Sequence, residues 1–147
     1  MISNRCELAN AYHKKGFNCC QSVLAAFSDL TGLSEQASFD LGAGFGAGMF
    51  TGEVCGAISS AVMVLGRATP VDQNDPVASK RRTGALAKEF QKRFEEKFGN
   101  LRCAPLLKTE IAPEQSPAAQ AIGTTNRCEI LILSAMEIVE DMLAARG

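Results

Sequence analysis

The chain has a single histidine, His13, among its 147 residues. The usual catalytic zinc sites and Cys–His nucleophile pairs are built on imidazole, so both classes lose their customary donor. His13 itself stands in a polar stretch beside two lysines and reads as a surface residue. No two cysteines have the C-x-x-C spacing, which removes the thioredoxin-type pair and the local zinc knuckle; C-x-x-C-H is missing as well, which removes covalent haem. There is no excess of basic charge. The formal net charge is −1, whereas a nucleic-acid binder carries a basic stripe. The first residues, MISNRCELANAYHKKG, put polar and charged side chains where an export signal needs an apolar stretch, which points to the cytoplasm. The apolar or small run over residues 54–66 is about two-thirds of the ~20 residues that a bilayer crossing takes, so no membrane span is expected. Outside the glycine-rich stretch there is no alternating strand pattern and no hairpin signal.

What is present is organised around LGAGFGAGMFTGEVCGAISSAVMVLG, residues 41–66. Glycine recurs at every second position from Gly42 to Gly48, a pattern too costly in backbone entropy for a regular element and suited to tight turns or close approach. Thr51 then reads as an N-cap, with Glu53 and Cys55 in the first turn of a buried helix. Gly42, Gly44 and Ala47 satisfy a relaxed G-x-G-x-x-A, but no strand precedes them and no acid follows at the required distance. No lysine follows the glycines, so a P-loop is excluded too. An anion at the helix start is still compatible with such a loop, and Gly46, Gly48, Thr51 and Gly52 are the candidate cofactor-binding positions.

The remaining chain reads as helices. Asn4 with Glu7 resembles a capping box for a helix over residues 5–15, closed by Gly16. Asn18 with Gln21 repeats the box, and Val23, Leu24, Phe27 and Leu30 make one apolar face before Gly32. Ser34 caps a shorter helix to Leu41. Asp75-Pro76 opens a long helix in which Leu86, Phe90, Phe94 and Phe98 share a face, while the mixed charges opposite read as a solvated surface. Residues 100–125 carry Pro105, Pro113 and Pro117 and are expected to be a short turn followed by irregular, covering chain. Asn126 with Glu129 is a third box, opening a last helix with Ile132, Ala135, Met136, Val139, Met142 and Leu143 on one stripe. The expectation is an all-α chain, a helical bundle of about five to six helices around a central buried helix over residues 53–66, forming one domain over 1–147.

The six cysteines are many for a reducing compartment, where clustered thiols more often bind metal or do redox work. Cys19, Cys55 and Cys128 each fall in the first turn of an expected helix, and Cys103 falls just before the turn at Pro105. Unpaired N–H groups at helix starts favour the thiolate, the form that attacks disulfides and binds metals. Four such positions from separate segments point to one converging site. Cys6, in mid-helix, and Cys20, beside Cys19, read as small buried hydrophobes. Neighbours on a helix lie about 100° apart, so only one of Cys19 and Cys20 can face that site.

In GFNCCQSVL, GAGFGAGMFTGEVCGAISSAVMVLG, LRCAPLL and NRCEI the chain resembles the redox-active protein family named for its C–GCAxxG–C–C cysteine pattern. The resemblance implies a small all-helical protein with the family cysteines at Cys19, Cys55, Cys103 and Cys128, the same four chosen from the helix starts. Ser60 departs from the pattern, standing where the family has glycine. The family is also similar to the amino-terminal part of split-Soret cytochromes, which carry an iron–sulfur centre.

Four readings follow. The first is an iron–sulfur or related metal centre on the four cysteines, for electron transfer or redox sensing with an unknown donor or acceptor. The second is a metal-free thiol–disulfide protein in which two of the four, Cys55 and one other, pair. The third is structural zinc, for which a chain with a full core has little need. The fourth is an interaction module with inert cysteines. The apolar faces of the first and last helices suggest a homodimer.

Overall fold

The computed structural model describes residues 2–146 and contains nine α-helices among them, with no strand beyond one isolated bridge. They are α1 Asn4–Lys14, α2 Cys19–Ala26, α3 Ser28–Thr31, α4 Glu35–Gly42, α5 Gly56–Ala68, α6 Pro76–Phe98, α7 Cys103–Leu106, α8 Pro117–Ile122 and α9 Arg127–Arg146. The fold is all-α, and no helix is long and apolar enough to cross a membrane.

Most helix starts follow the local chemistry. Asn18 accepts the Gln21 N–H at 2.8 Å and its own N–H donates to the Gln21 side chain at 2.9 Å, completing the box that starts α2. Ser34 accepts from Ala37 at 3.0 Å and Asp75 from Ala78 at 3.1 Å. Gly99 takes the left-handed conformation, φ +78°, that ends α6. The cap of α1 is Ser3 rather than Asn4: the Ser3 hydroxyl accepts from Cys6 N–H and donates to Glu140 at 2.9 Å.

Four expected elements differ. The helix expected to run from Cys19 to Gly32 breaks at Phe27, where the Ser28 hydroxyl donates to the Ala25 carbonyl at 2.7 Å and draws the chain out of register. The central helix begins at Gly56, not near Glu53. Ala47, Gly48, Met49 and Phe50 are all left-handed, with φ between +49° and +61°, and fold Gly48–Gly52 into a wide turn that leaves Thr51 and Glu53 outside the helix. Residues 100–125 are more regular than their prolines suggest. Pro117 occupies the first turn of α8, behind a Ser116 cap that accepts from Ala119 at 3.0 Å. Finally, Asn126 caps α9 by accepting from Glu129 N–H, but the Glu129 carboxylate does not return to close a box.

α5 shares the centre with α9. Residues Glu129 to Met136 of α9 are buried without interruption, whereas Met63 of α5 is 36% exposed. The Phe90, Phe94 and Phe98 rings of α6 pack onto this pair, with Phe90 and Phe94 fully buried. The α9 stripe expected to seek a second copy is largely used within the chain: Ile132, Ala135, Met136, Val139 and Met142 are all buried.

Candidate metal centre

The four cysteines arrive on four helix starts. Cys19 is the first residue of α2, Cys55 the N-cap residue of α5, Cys103 the first of α7 and Cys128 the second of α9. A short extended exchange clamps two of them side by side. The Cys55 N–H donates to the Leu101 carbonyl at 2.9 Å, the Cys103 N–H donates to the Glu53 carbonyl at 2.6 Å, and Val54 and Arg102 form the bridge between. On the outside, the Arg102 guanidinium donates to both Glu53 carboxylate oxygens at 3.2 Å.

The glycines make this convergence sterically feasible. A Cβ on Gly56 would sit 2.9 Å from the Phe45 carbonyl oxygen and 3.0 Å from the Cys20 nitrogen, so α5 could not start so close to α2 with any larger residue. Of the candidate cofactor positions, Gly46 abuts Asn18, Gly48 abuts Glu53, Gly52 abuts Ala104, and the Thr51 hydroxyl donates to Gly48. Their nearest partners are thus protein atoms that bring the cysteine-bearing segments together.

Charge is unevenly shared among the sulfurs. The Cys19 and Cys128 sulfurs lie within 4.8 Å of each other, and the neighbouring thiols, Cys128 first and then Cys55, hold the Cys19 thiol well above the ordinary value; burial adds to the effect. Cys55, only 3% exposed, is lowered by the Cys19 thiol against the opposing effect of burial, helped by the N–H groups of Ala57 and Ile58 at the start of α5. Cys128 is lowered to about 6, first by the Cys19 thiol, against burial, and then by the charges of His13 and Arg127. Cys103 is raised by burial and by the charges of Cys55 and Cys128. Helix starts alone therefore do not favour four thiolates, as the sequence suggested. Two are lowered, Cys55 and Cys128, while Cys19 is raised by its neighbouring thiols and Cys103 by burial first and then by the charges of Cys55 and Cys128.

Cys19 and Cys20 divide between two environments. Cys19 stands with Cys128 and His13, while Cys20 is fully buried against α5 beside Ser60 and its thiol is pushed up to about 12 by burial. Ser60 is equally buried and donates to the Gly56 carbonyl at 2.8 Å, so its hydroxyl is paired within the helix. Cys6 lies apart, buried near Glu140, with its thiol pushed up to about 11 by burial.

The surface reading of His13 is overturned. Its side chain is 19% exposed, and a ring nitrogen lies within 4.8 Å of the Cys19 and Cys128 sulfurs, which are themselves within 4.8 Å of each other. His13 Nδ1 is 2.9 Å from Glu129 Oε2. Glu129 is only 4% exposed; its other oxygen accepts from the Thr124 hydroxyl at 2.6 Å and lies 3.6 Å from Lys14 Nζ. Burial pushes its carboxyl up, but the Thr124 and His13 hydrogen bonds and the Lys14 charge outweigh this and hold it below the ordinary value. A signal for His13 was present in the sequence, since it falls four residues after Ala9 and seven after Cys6, both on the buried stripe of α1.

The donor set, soft sulfur with one imidazole, suits zinc or iron rather than a hard cation that prefers oxygen. No curated protein and no solved structure matches the chain. The family described as "Putative redox-active protein (C_GCAxxG_C_C)" matches residues 17–142, and the chain belongs to it.

Proposed function

We propose that Cys19, Cys55, Cys103 and Cys128 hold an iron–sulfur cluster or another thiolate-bound metal centre, for electron transfer or redox sensing. The observation that supports this reading most is the placement of the four cysteines at four helix starts, with the Cys19 and Cys128 sulfurs within 4.8 Å of each other; of the four thiols only Cys55 and Cys128 are lowered by their surroundings. A cation supplies the missing positive charge and lets the remaining thiols ionise, so metal and full deprotonation reinforce each other. A cluster, when bound, supplies reversible electron transfer at a potential set by charge and hydrogen bonds to its sulfurs. The chain's own contribution is the N–H groups of Ala57 and Ile58 toward Cys55 and the low exposure around it. The reading includes a reducing, cytoplasmic setting for six free thiols, an electron donor or acceptor still to be identified, and a homodimer resting on α1, where Leu8 is 44% exposed.

Anaerobic expression followed by absorption spectroscopy and metal analysis tests the proposal. A coloured protein with iron and sulfide supports a cluster, and stoichiometric colourless zinc supports the wider thiolate-metal reading. A metal-free protein from anaerobic cells overturns both.

The proximity of the Cys19 and Cys128 sulfurs, within 4.8 Å of each other, favours one second reading, a thiol–disulfide protein. The Cys128 thiolate attacks a partner disulfide and displaces one partner sulfur as a thiolate, which takes a proton from solvent. Cys19 then gives up its proton and attacks the Cys128 sulfur, releasing the second partner thiol and leaving a Cys19–Cys128 disulfide. Metal-free protein with that disulfide after exposure to an oxidised dithiol would select this reading.

A further inference from the structure

His13 lies outside the four-cysteine pattern and before the matched residues 17–142, yet it is the donor that stands with Cys19 and Cys128 in one group, all three within 4.8 Å of one another. We propose that His13 is itself a ligand of the metal, in a mixed Cys19–Cys128–His13 set for a divalent cation of the zinc and ferrous class, and that Glu129 is its positioning residue. The inference rests on the thiolate-metal reading and narrows its ligand set.

Three observations carry it. The first is distance. A tetrahedral zinc with bonds of ~2.0–2.3 Å needs its donors roughly 3.3–3.8 Å apart, and donors already within 4.8 Å reach that separation by side-chain shifts on the order of an ångström. The second is the orientation of the ring. Glu129 Oε2 lies 2.9 Å from Nδ1 and its other oxygen is anchored by the Thr124 hydroxyl at 2.6 Å, so the carboxylate accepts from Nδ1–H and leaves the Nε2 lone pair free. Carboxylate–histidine pairs of this kind fix the tautomer and raise the basicity of metal-bound imidazoles. The third is charge. A divalent cation with four thiolates leaves two negative charges in a largely desolvated place, whereas two thiolates and a neutral imidazole leave none. Cys55, whose thiol also acts on Cys19, takes the fourth coordination position and leaves one negative charge, against two for four thiolates.

The test uses the full chain, reduced and stripped of metal under argon, and titrated with Co(II). The wild type is expected to take one equivalent with the visible bands of a tetrahedral site and a sulfur-to-cobalt band of three thiolates. His13→Ala should weaken binding at least about tenfold and shift the visible bands. His13→Cys should retain one equivalent and gain one thiolate's worth of charge-transfer intensity. Glu129→Gln should weaken binding by about 10–100-fold while leaving the sulfur-to-cobalt band unchanged, a signature that a merely structural carboxylate would not give. Circular dichroism on each variant separates loss of a ligand from loss of fold, and His13→Cys keeps the test decisive if His13→Ala unfolds. If His13→Ala binds with wild-type affinity, unchanged visible bands and a four-thiolate band, the His13 proposal falls and the four-cysteine centre stands. If the wild type binds no Co(II), both fall.

Discussion

Nδ1 of His13 and Oε2 of Glu129 meet at 2.9 Å across 116 positions of sequence, tying the end of α1 to the first turn of α9. Because the Glu129 carboxyl is held below its ordinary value, it contributes stability that is fully present above the ordinary carboxylate range and is lost as pH falls through its depressed value. Urea unfolding of metal-free protein at a series of pH values from 7 to 3 should show this loss. In Glu129→Gln the acid-side decline should be shallower, with stability at pH 7 lower by about 1–3 kcal/mol for the broken buried hydrogen bonds. Parallel curves for the two proteins would contradict the assignment.

Cys128 and Cys6 should report opposite surroundings. In reduced, metal-free protein, iodoacetamide labelling followed by peptide mass spectrometry should give a midpoint near pH 6 for Cys128 and near pH 11 for Cys6. Cys19→Ala removes the thiol that donates to Cys128, so the Cys128 midpoint should rise toward the ordinary thiol value. A midpoint unmoved by that change would show that Cys19 is not its donor.

Cys55→Ser and Cys6→Ser separate the converging site from the isolated thiol. The first substitution should abolish metal binding or disulfide formation, because Cys55, buried at the N-cap of α5, is the thiol lowered by Cys19. The second should leave both intact, since Cys6 packs near Glu140, apart from the other sulfurs. Equal losses in the two variants, read by metal analysis and thiol titration, would undo the division.

Three glycine-to-alanine changes should rank by what a Cβ meets. Gly56→Ala forces a methyl against two backbone atoms at 2.9 and 3.0 Å and should cost about 1–3 kcal/mol in urea unfolding. Gly48→Ala should cost at least as much, with φ at +61° and Glu53 backbone at 2.4 Å. Gly84→Ala, inside α6 with nothing within 4 Å, should stabilise by about 0.5–1 kcal/mol through helix propensity. A Gly56→Ala cost no larger than that of Gly84→Ala would mean that α2 and α5 approach differently.

Helix starts at Asn18, Ser34 and Asp75 and the stop at Gly99 could be read because each rests on a hydrogen bond or a backbone preference spanning at most four residues. The same local reasoning placed Cys19, Cys55, Cys103 and Cys128 at or beside helix starts. It failed where local signals competed. Pro117 reads equally as a loop residue and as a first helical position, and burial of Ala118 and Ala119 favours the helix. Ala47, Met49 and Phe50 adopt positive φ, a conformation non-glycine residues seldom take on their own, held by a turn that places Glu53 against Arg102 and Cys103.

Local hydrogen bonds and side-chain periodicity therefore determined, from the residues alone, that this chain is helical and which cysteines open its helices. The partners of those cysteines were decided only in three dimensions. Which thiol keeps its proton depends on which sulfurs stand beside it, and whether His13 faces solvent or sulfur depends on Glu129, a residue that α9 brings back from the far end of the chain. Coulomb and hydrogen-bond energies vary with distance in space, and separation along the chain carries no record of it.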